Sequence, residues 1–306
     1  ESNYVVMLSL DGFRWDYPDS IPTPNLYQIA KTGVKAKSLQ ASFPTKTFPN
    51  HYSMATGLYP DHHGIVLNSF YDPKMDAYYA IRDREAVMNA EFYGGEPIWV
   101  TAEKQGITAA SCFWVGSEAA IKGISPTYWK QYEHQLPFEQ RIDTVIHWLS
   151  LPEKMRPHLI TWYIHEPDAV GHRYGPFSPE LSKTVTYLDS LVGIFIQRVN
   201  KLPYAKKINI IVTSDHGMGC ISEERVVYLD DFIKESWVRT IQGGNPNFNI
   251  MAQENCLDSV YSSLKALEHI SVWKSSEVPE RFHYGNNPRI TDIVVLADSA
   301  WSIGLR

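Results

Sequence analysis

The stretch YVVMLSLDGF, residues 4–13, is a β-rich apolar run that ends in Asp-Gly. Such a run is typical of a buried strand followed by a turn, so Asp11 is predicted at the carboxyl end of the strand. HLITWYI (158–164) and KINIIVTSDHG (207–217) contain further runs of this kind. Strands that are apolar from end to end are typical of a parallel sheet that is covered on both faces.

Helical patterns accompany these strands. TPNLYQIAKTGV (23–34) has a Thr-Pro start and Gly33 as its stop signal. Residues 179–200 carry apolar side chains at helical spacing, namely Leu181, Val185, Leu188, Leu191, Val192 and Ile196. Strands that alternate with helices predict an α/β fold with a mostly parallel sheet sandwiched by helices.

The 306 residues are enough for a single large catalytic domain over 1–306. Residues 69–137 are rich in aromatic side chains and have shorter helix and strand signals. We interpret them as an insertion beside the sheet edge, of which 96–114 is the part that can rejoin the core. Residues 291–297 are one more strand candidate.

The composition excludes some classes of protein. A net charge of −6 provides no basic footprint, so no nucleic-acid polymer is expected as a partner. No apolar run approaches the roughly 20 residues that span a bilayer, so no transmembrane segment is predicted.

Cys112, Cys220 and Cys256 are expected to be free buried thiols, with a Cys220–Cys256 bridge as the alternative. The chain starts close to its first strand, which is typical of a trimmed or mature product.

Asp168 and His172 are four residues apart in EPDAVGHRYGP (166–176). On a helix they would share a face, but Pro167 and Gly171 favour a turn or one short helical turn. In either conformation both side chains can reach one point. Taken alone, the pair is equally compatible with a solvated surface feature.

Asp215 and His216 follow the apolar run within 207–217, on a predicted tight turn from which their side chains diverge. Ligands of parallel sheets gather beyond the carboxyl ends of the strands, and Asp11 and Asp168 are predicted at the same edge. Grouped carboxylates repel one another unless a cation lies between them. Carboxylate and imidazole ligands suit Zn²⁺, so a two-metal site that clamps a phosphoryl group is the favoured interpretation.

SFPTKTFPNHYSMATGLYP (42–60) is compatible with a helix start rich in capping groups or with a reactive hydroxyl. A threonine hydroxyl is a poor nucleophile unless a metal ion or a base activates it. If a threonine of this stretch lies beside the predicted ions, Lys46 or Asn68 could stabilise the charge that develops. Aromatic rings of the predicted insertion would receive a flat base or another planar group.

The order of the motifs resembles the nucleotide pyrophosphatase/phosphodiesterase family of the alkaline-phosphatase superfamily. The matching motifs are LDGFRWDY (10–17), PTKTFPNHYSMATGLYPDHHGIVLNSFYDPKM (44–75), GEPIWVTAEKQG (95–106), EPDAVGHRYGP (166–176) and TSDHGM (213–218). The likeness extends from Tyr4 to about Trp301. These motifs are long and ordered, which makes the resemblance specific.

The resemblance implies that Thr47 is the nucleophile and that Thr45 is not catalytic. The ligands that it implies for one zinc ion are Asp11, Thr47, Asp215 and His216. For the other ion it implies Asp168, His172 and a third histidine in an HGY-like turn that would follow DSAWSIGLR (298–306). The sequence contains no such turn. We expect that it lies in chain beyond Arg306, and the alternative is that the protein lacks this ligand.

The resemblance also implies a substrate site. Asn68 would hold a non-bridging phosphate oxygen, and Phe48 and Tyr132 would sandwich a nucleobase. Trp114 and Glu118 fall in the nucleotide-specific insertion of the family, whose acidic residue is often an aspartate. Members that act on lysophospholipids lack this insertion, so nucleotides are the favoured substrates.

The function implied is that of a two-zinc hydrolase of nucleotides or dinucleotides. It would cleave phosphodiester or pyrophosphate bonds through Thr47 and release a nucleoside 5′-monophosphate. The family habit implies an extracytoplasmic location.

One alternative is a phospholipid-type phosphodiesterase. Another is a phosphomonoesterase or sulfatase, against which the absence of arginine from 42–60 argues. A third is a non-catalytic protein that binds nucleotide or metal. The oligomeric state stays open.

Overall fold

The computed structural model describes residues 3–306. Its strands are β1 (Tyr4–Leu10), β2 (Ser69–Asp72), β3 (Ala77–Ala80), β4 (Ala109–Cys112), β5 (Tyr128–Lys130), β6 (Leu159–Ile164), β7 (Ile208–Thr213), β8 (Val226–Tyr228), β9 (Val238–Gly244), β10 (Asn247–Ala252), β11 (Ile270–Lys274), β12 (Ile293–Ala297) and β13 (Ser302–Gly304). Its α-helices are α1 (Tyr17–Ser20), α2 (Pro24–Thr32), α3 (Thr47–Thr56), α4 (Pro60–His63), α5 (Arg84–Met88), α6 (Ile98–Lys104), α7 (Phe138–Leu149), α8 (Asp168–Tyr174), α9 (Pro179–Val199) and α10 (Leu257–Lys265).

The chain forms two compact units. The first comprises Glu96–Met218 and the described part of Glu1–Ala41, and the second comprises Ser42–Gly95 and Gly219–Arg306. Each unit is therefore discontinuous in sequence. Across residues 3–306, no helix is both long enough and apolar enough to cross a membrane.

The first unit is built on a five-stranded sheet in the order β5-β4-β6-β1-β7. Every neighbouring pair in it is parallel. Near their carboxyl ends, Leu10 of β1 pairs with Ile164 of β6, and Ser9 pairs with Thr213 of β7. The predicted α/β class is thus confirmed, and the ends of these three strands lie side by side.

Both helices predicted for this unit are present. Residues 179–200 contain α9, where Ser178 caps the amino end by accepting a hydrogen bond from the Leu181 N–H (3.1 Å). Residues 23–34 contain α2, whose amino end is capped by a side chain of another helix. The buried Asp189 of α9 accepts hydrogen bonds from the backbone N–H groups of Asn25 and Leu26. The two helices are thereby joined.

Apolar side chains from the sheet, α7 and α9 form the core of the first unit. Val6, Leu8 and Leu10 of β1 are almost fully buried, and each contributes about 1.5–3 kcal/mol relative to an exposed position. At the sheet edge, Ile211 of β7 is 47% exposed. This strand is therefore less covered than its apolar run predicts.

The second unit contains a four-stranded sheet in the order β11-β12-β10-β9. Its neighbouring strands are antiparallel. The strand predicted at 291–297 is β12, and its central residues are fully buried. A continuous apolar run does not distinguish a central antiparallel strand from a parallel one. In the same unit, β2 and β3 form a hairpin and β8 pairs with β13.

Residues 69–137, in which the sequence predicts an insertion, contribute to both units. The hairpin of β2 and β3 belongs to the second unit, whereas α6, β4 and β5 belong to the first. Both β4 and β5 extend the parallel sheet. The part of the predicted insertion that rejoins the core therefore extends beyond residue 114 to include β5. The single domain and the limits of an insertion stay predictions.

The three cysteines are free thiols, as predicted. Only Cys112, in β4, is fully buried. Cys220 is exposed and Cys256 is half-buried, so the expectation of burial is wrong for these two. Cys220 follows β7 in a segment without regular structure, where no core covers it.

Candidate active site

The carboxyl ends of β6, β1 and β7 carry the predicted ligands of the first unit. Asp11 directly follows β1, and its backbone N–H donates to the Ile164 carbonyl (2.9 Å). Asp168 begins α8, and its N–H donates to the Asp11 carbonyl (3.1 Å). Asp215 and His216 follow β7. Sheet pairing thus continues into the loops and brings these side chains to one edge.

Three of these residues form a group that could hold a metal ion. Ligand atoms of Asp11, Asp168 and His216 all lie within 4.8 Å of one another. His216 Nε2 is 3.4 Å from Asp11 Oδ1 and 3.3 Å from Asp215 Oδ2. The side chains of Asp215 and His216 therefore converge, and the prediction that they diverge is wrong.

Asp168 and His172 lie on one face of α8, with His172 Nε2 3.4 Å from Asp168 Oδ1. The helix extends over seven residues, so the expected turn or single helical turn is wrong. Gly171 packs closely against Met218, which explains a glycine within this helix: a Cβ on Gly171 would lie 2.6 Å from Met218 Sδ. The His172 side chain is 73% exposed.

Gly12 allows the aspartates to approach. Its φ of +68° is in the left-handed region that favours glycine. A Cβ at this position would lie 3.0 Å from Cα, Cβ and Oδ1 of Asp168. The Gly12 N–H also donates to Asp215 Oδ1 (3.1 Å). The Asp-Gly sequence is thus required for packing as well as for the turn.

The electrostatics of the group favour a cation. Burial raises the pKa of Asp11 well above its usual range, and the charges of Asp215 and Asp168 raise it further. Asp11 Oδ1 is buried and receives no hydrogen bond from any of residues 3–306. Buried carboxylates beside an imidazole are the ligands that a zinc ion prefers. These residues therefore fit a divalent metal ion.

Sequence reasoning missed Tyr163, the penultimate residue of β6. Its hydroxyl donates to Asp11 Oδ2 at 2.5 Å, and this bond opposes the rise in the pKa of Asp11. Burial raises the pKa of the Tyr163 phenol well above its usual range, so the hydroxyl stays protonated. The only signal in the sequence is a polar group at the carboxyl end of an otherwise apolar strand.

Sequence reasoning also missed Arg141 of α7, which is fully buried. Its guanidinium donates to the carbonyls of His134, Leu136 and Tyr163 at 3.1–3.3 Å. It also lies 4.9 Å from the ring centre of Phe113. Arg141 thereby ties the segment after β5 to the end of β6.

In the second unit, Thr47 is the first residue of α3. Lys46 precedes the helix without a side-chain capping bond, so neither threonine of PTKT is its N-cap. Lys46 Nζ donates to the carbonyl of Gly244 (2.9 Å) and to that of Asn245. The lysine therefore fixes the start of α3 to the loop between β9 and β10.

Asn68 and Phe48 lie together in this unit. Asn68 Oδ1 accepts a hydrogen bond from the Phe48 N–H (3.0 Å), which is one of the donors that a helix start leaves without an intrahelical partner. The half-buried Phe48 ring packs edge-on against Tyr79, with ring centres 6.2 Å apart. The Asn68 side-chain amide is thus held against the backbone of Phe48, the residue that follows Thr47.

The remaining predicted residues belong to the first unit. The Tyr132 hydroxyl lies 3.0 Å from His134 Nδ1, and its ring packs edge-on against Phe113. Trp114 and Glu118 follow β4 and are buried, with 1% and 9% of their surface exposed. The roles predicted for these three residues stay predictions, as do those of Thr47, Phe48 and Asn68.

Sequence comparisons extend along the chain. The family model for type I phosphodiesterase / nucleotide pyrophosphatase matches residues 5–306. Human ectonucleotide pyrophosphatase/phosphodiesterase family member 1 is 37% identical over 319 residues, which cover 100% of this chain and 34% of that protein. Venom phosphodiesterase 2 of Crotalus adamanteus is 36% identical over 311 residues, covering 98% of this chain and 38% of the venom protein. The chain thus spans little more than a third of the length of these relatives.

Solved structures extend the similarity to the fold. Murine ectonucleotide pyrophosphatase/phosphodiesterase 5 has a TM-score of 0.93 at 35% identity, covering 99% of this chain and 81% of that one. An inactive threonine-to-alanine variant of the murine protein in complex with AMP also has a TM-score of 0.93, and 80% of its chain is covered. Because the family model matches nearly every residue and the fold is shared, the chain belongs to the type I phosphodiesterase / nucleotide pyrophosphatase family.

Proposed function

We propose that the chain is the catalytic part of a metal-dependent hydrolase that cleaves nucleotide phosphodiester or pyrophosphate bonds and releases a nucleoside 5′-monophosphate. The observation that carries the proposal is the group of ligand atoms of Asp11, Asp168 and His216 within 4.8 Å at the ends of neighbouring strands. The names of the relatives support the reaction class. The AMP complex of the murine relative supports nucleotides or dinucleotides as substrates.

Two Zn²⁺ ions are the proposed cofactors. Residues of the first unit that would hold them are Asp11, Asp168, His172, Asp215 and His216. The group in the structure includes residues from both of the ligand sets that the family resemblance implies. Bound zinc would lower the pKa of a ligated hydroxyl or water and neutralise charge on phosphate oxygens.

Thr47 is the proposed nucleophile and also a zinc ligand. Its oxygen bonds to the α-phosphorus while the bond from phosphorus to the leaving oxygen breaks, and an alcohol or pyrophosphate departs. The hydroxyl proton passes to solvent or to the departing alcohol. Water then hydrolyses the nucleotidyl-threonine, which regenerates Thr47 and gives the nucleoside 5′-monophosphate. Asn68 would hold a non-bridging phosphate oxygen, and the position of its amide against α3 supports this role.

Aromatic side chains form the proposed base site. Phe48 and Tyr132 would stack on the two faces of a nucleobase. Trp114 and Glu118 are proposed as further substrate-binding residues, and both are buried. Loss of a stacking ring should weaken substrate binding more than it slows the chemical step.

An extracytoplasmic location is proposed for the whole protein. Its support lies in the names of the relatives, which include a snake venom phosphodiesterase and ectonucleotide enzymes. Fractionation of the source cells, with activity assayed in the medium and in the cytosol, tests this location. Activity confined to the cytosol would contradict it.

The decisive test of the reaction is Thr47→Ala. Turnover of the nitrophenyl ester of a nucleoside 5′-phosphate should fall at least about 1000-fold, because a nucleophile is lost. Thr45→Ala is the matched control, since Thr45 lies two residues away and is exposed. A Thr47→Ala protein that retains the parental rate would refute the assignment.

Two further measurements separate the alternatives. A phosphomonoesterase would hydrolyse nitrophenyl phosphate faster than the nucleotide diester, whereas the proposed enzyme prefers the diester. A protein that only binds nucleotide would contain zinc and bind AMP without turning over any diester.

A further inference from the structure

We propose that Tyr163 is a positioning residue for the metal ligand Asp11. Tyr163 is paired with Ser9 of β1, so its side chain is fixed beside the carboxyl end of that strand. Its hydroxyl donates to Asp11 Oδ2 at 2.5 Å. The inference rests on the metal site of the proposed function and adds a residue to which the motifs assign no role.

The two oxygens of Asp11 have different surroundings. Oδ2 accepts the Tyr163 hydrogen bond, whereas Oδ1 lies 3.4 Å from His216 Nε2. A carboxylate can rotate about its Cβ–Cγ bond, and a donor fixed on one oxygen removes that freedom. The hydroxyl therefore orients Oδ1 towards the imidazole, and the ligand group is set before a metal ion binds.

The position of Tyr163 is itself well determined. The residue is 9% exposed, and its backbone carbonyl accepts a hydrogen bond from Arg141 Nη1 (3.3 Å). Its ring centre is 6.3 Å from that of Tyr132, the residue proposed to stack on a base. Within the first unit, Tyr163 thus contacts both Tyr132 and Asp11.

Tyr163→Phe tests the inference, because it removes the hydroxyl and keeps the ring. Zinc affinity, measured by competition with a chromogenic chelator, should fall about 10–100-fold, the usual cost of losing a group that orients a metal ligand. Tyr204→Phe is the matched control. Its hydroxyl donates to the Leu149 carbonyl in the same unit, and Tyr204 lies before the amino end of β7. The control should bind zinc as the parent does.

A second substitution shows whether the effect passes through Asp11. In an Asp11→Asn background, Tyr163→Phe should cause no further loss of zinc affinity. Equal zinc affinity of Tyr163→Phe and the parent would overturn the inference, as would an equal loss in Tyr204→Phe. If the parent itself binds no zinc, the proposed function fails instead. Melting curves in excess chelator verify that each variant is folded.

Discussion

The two units hold their candidate site residues in different ways. In the first unit, the acidic and imidazole side chains follow three neighbouring strands of one parallel sheet. In the second unit, Thr47 begins a helix, and hydrogen bonds from Lys46 and to Asn68 fix the start of that helix. Strand order thus assembles the first group, whereas individual side-chain contacts assemble the second.

The energetic consequences differ as well. Asp11, Asp168 and Asp215 repel one another in the absence of a cation, so the first group opposes the stability of the metal-free protein. The contacts of Lys46 and Asn68 join donors to acceptors and stabilise the second unit whether or not a metal ion is bound. Substitutions of these aspartates should therefore reduce metal binding, whereas substitutions of Lys46 or Asn68 should reduce stability.

The largest effect is expected from Asp11→Asn. Activity should fall by more than the roughly 100-fold that loss of an orienting group costs, because a ligand itself is removed. In excess chelator, the melting temperature should equal or exceed that of the parent, since a buried negative charge is lost. Assays with and without zinc, together with melting curves, measure both effects.

Asp19→Asn is the matched control for this substitution, because Asp19 is exposed in the same unit. Its activity should equal that of the parent. A large drop in the melting temperature of metal-free Asp11→Asn would show that the aspartate has a structural role, and the contrast between the units would fail.

An intermediate effect is expected from His63 of the second unit. Its Nδ1 accepts from the Ile65 N–H (3.1 Å), and burial lowers its pKa to about 3. The unfolded chain, with a histidine pKa of about 6.5, takes up the proton first as the pH falls. The contribution of neutral His63 to the free energy of unfolding is therefore complete above about pH 6.5, and it is lost as the pH falls towards about 3.

His63→Gln should remove this dependence. Between about pH 6.5 and pH 4.5, its free energy of unfolding should fall by about 2–3 kcal/mol less than that of the parent. Urea titrations in excess chelator at several pH values give the comparison. His62→Gln, at the exposed neighbouring position, should follow the parent. Parallel curves for His63→Gln and the parent would contradict the prediction.

The smallest effect is expected from Lys46→Met, which keeps the apolar stem and removes the charge. Two carbonyls, of Gly244 and Asn245, lose their donor, and the free energy of unfolding should fall by about 1.5 kcal/mol. Zinc affinity should fall far less than in Asp11→Asn, because Asp11, Asp168 and His216 all belong to the first unit. Lys74→Met is the control, at an exposed position of the same unit. A loss of zinc affinity in Lys46→Met as large as that in Asp11→Asn would contradict the contrast between the units.

Much of the first unit could be predicted from the sequence. Its long strands are continuous apolar runs, and α9 follows the predicted helical spacing. In the Thr-Pro start of α2, Pro24 is the first helical residue, but Asp189 rather than Thr23 caps the helix. The second unit could not be predicted to the same extent. Its strand β12 is as apolar as a parallel strand, so the antiparallel sheet had no signature of its own.

The sequence by itself determined which residues stand at the ends of strands, because apolar runs and Asp-Gly turns are local features. It therefore supplied Asp11, Asp168, Asp215 and His216 as candidate ligands. Only the tertiary structure decided which strands are neighbours, that the Asp215 and His216 side chains converge, and that Tyr163 binds Asp11 Oδ2. These relations join residues more than a hundred positions apart in some cases, and no local pattern encodes them.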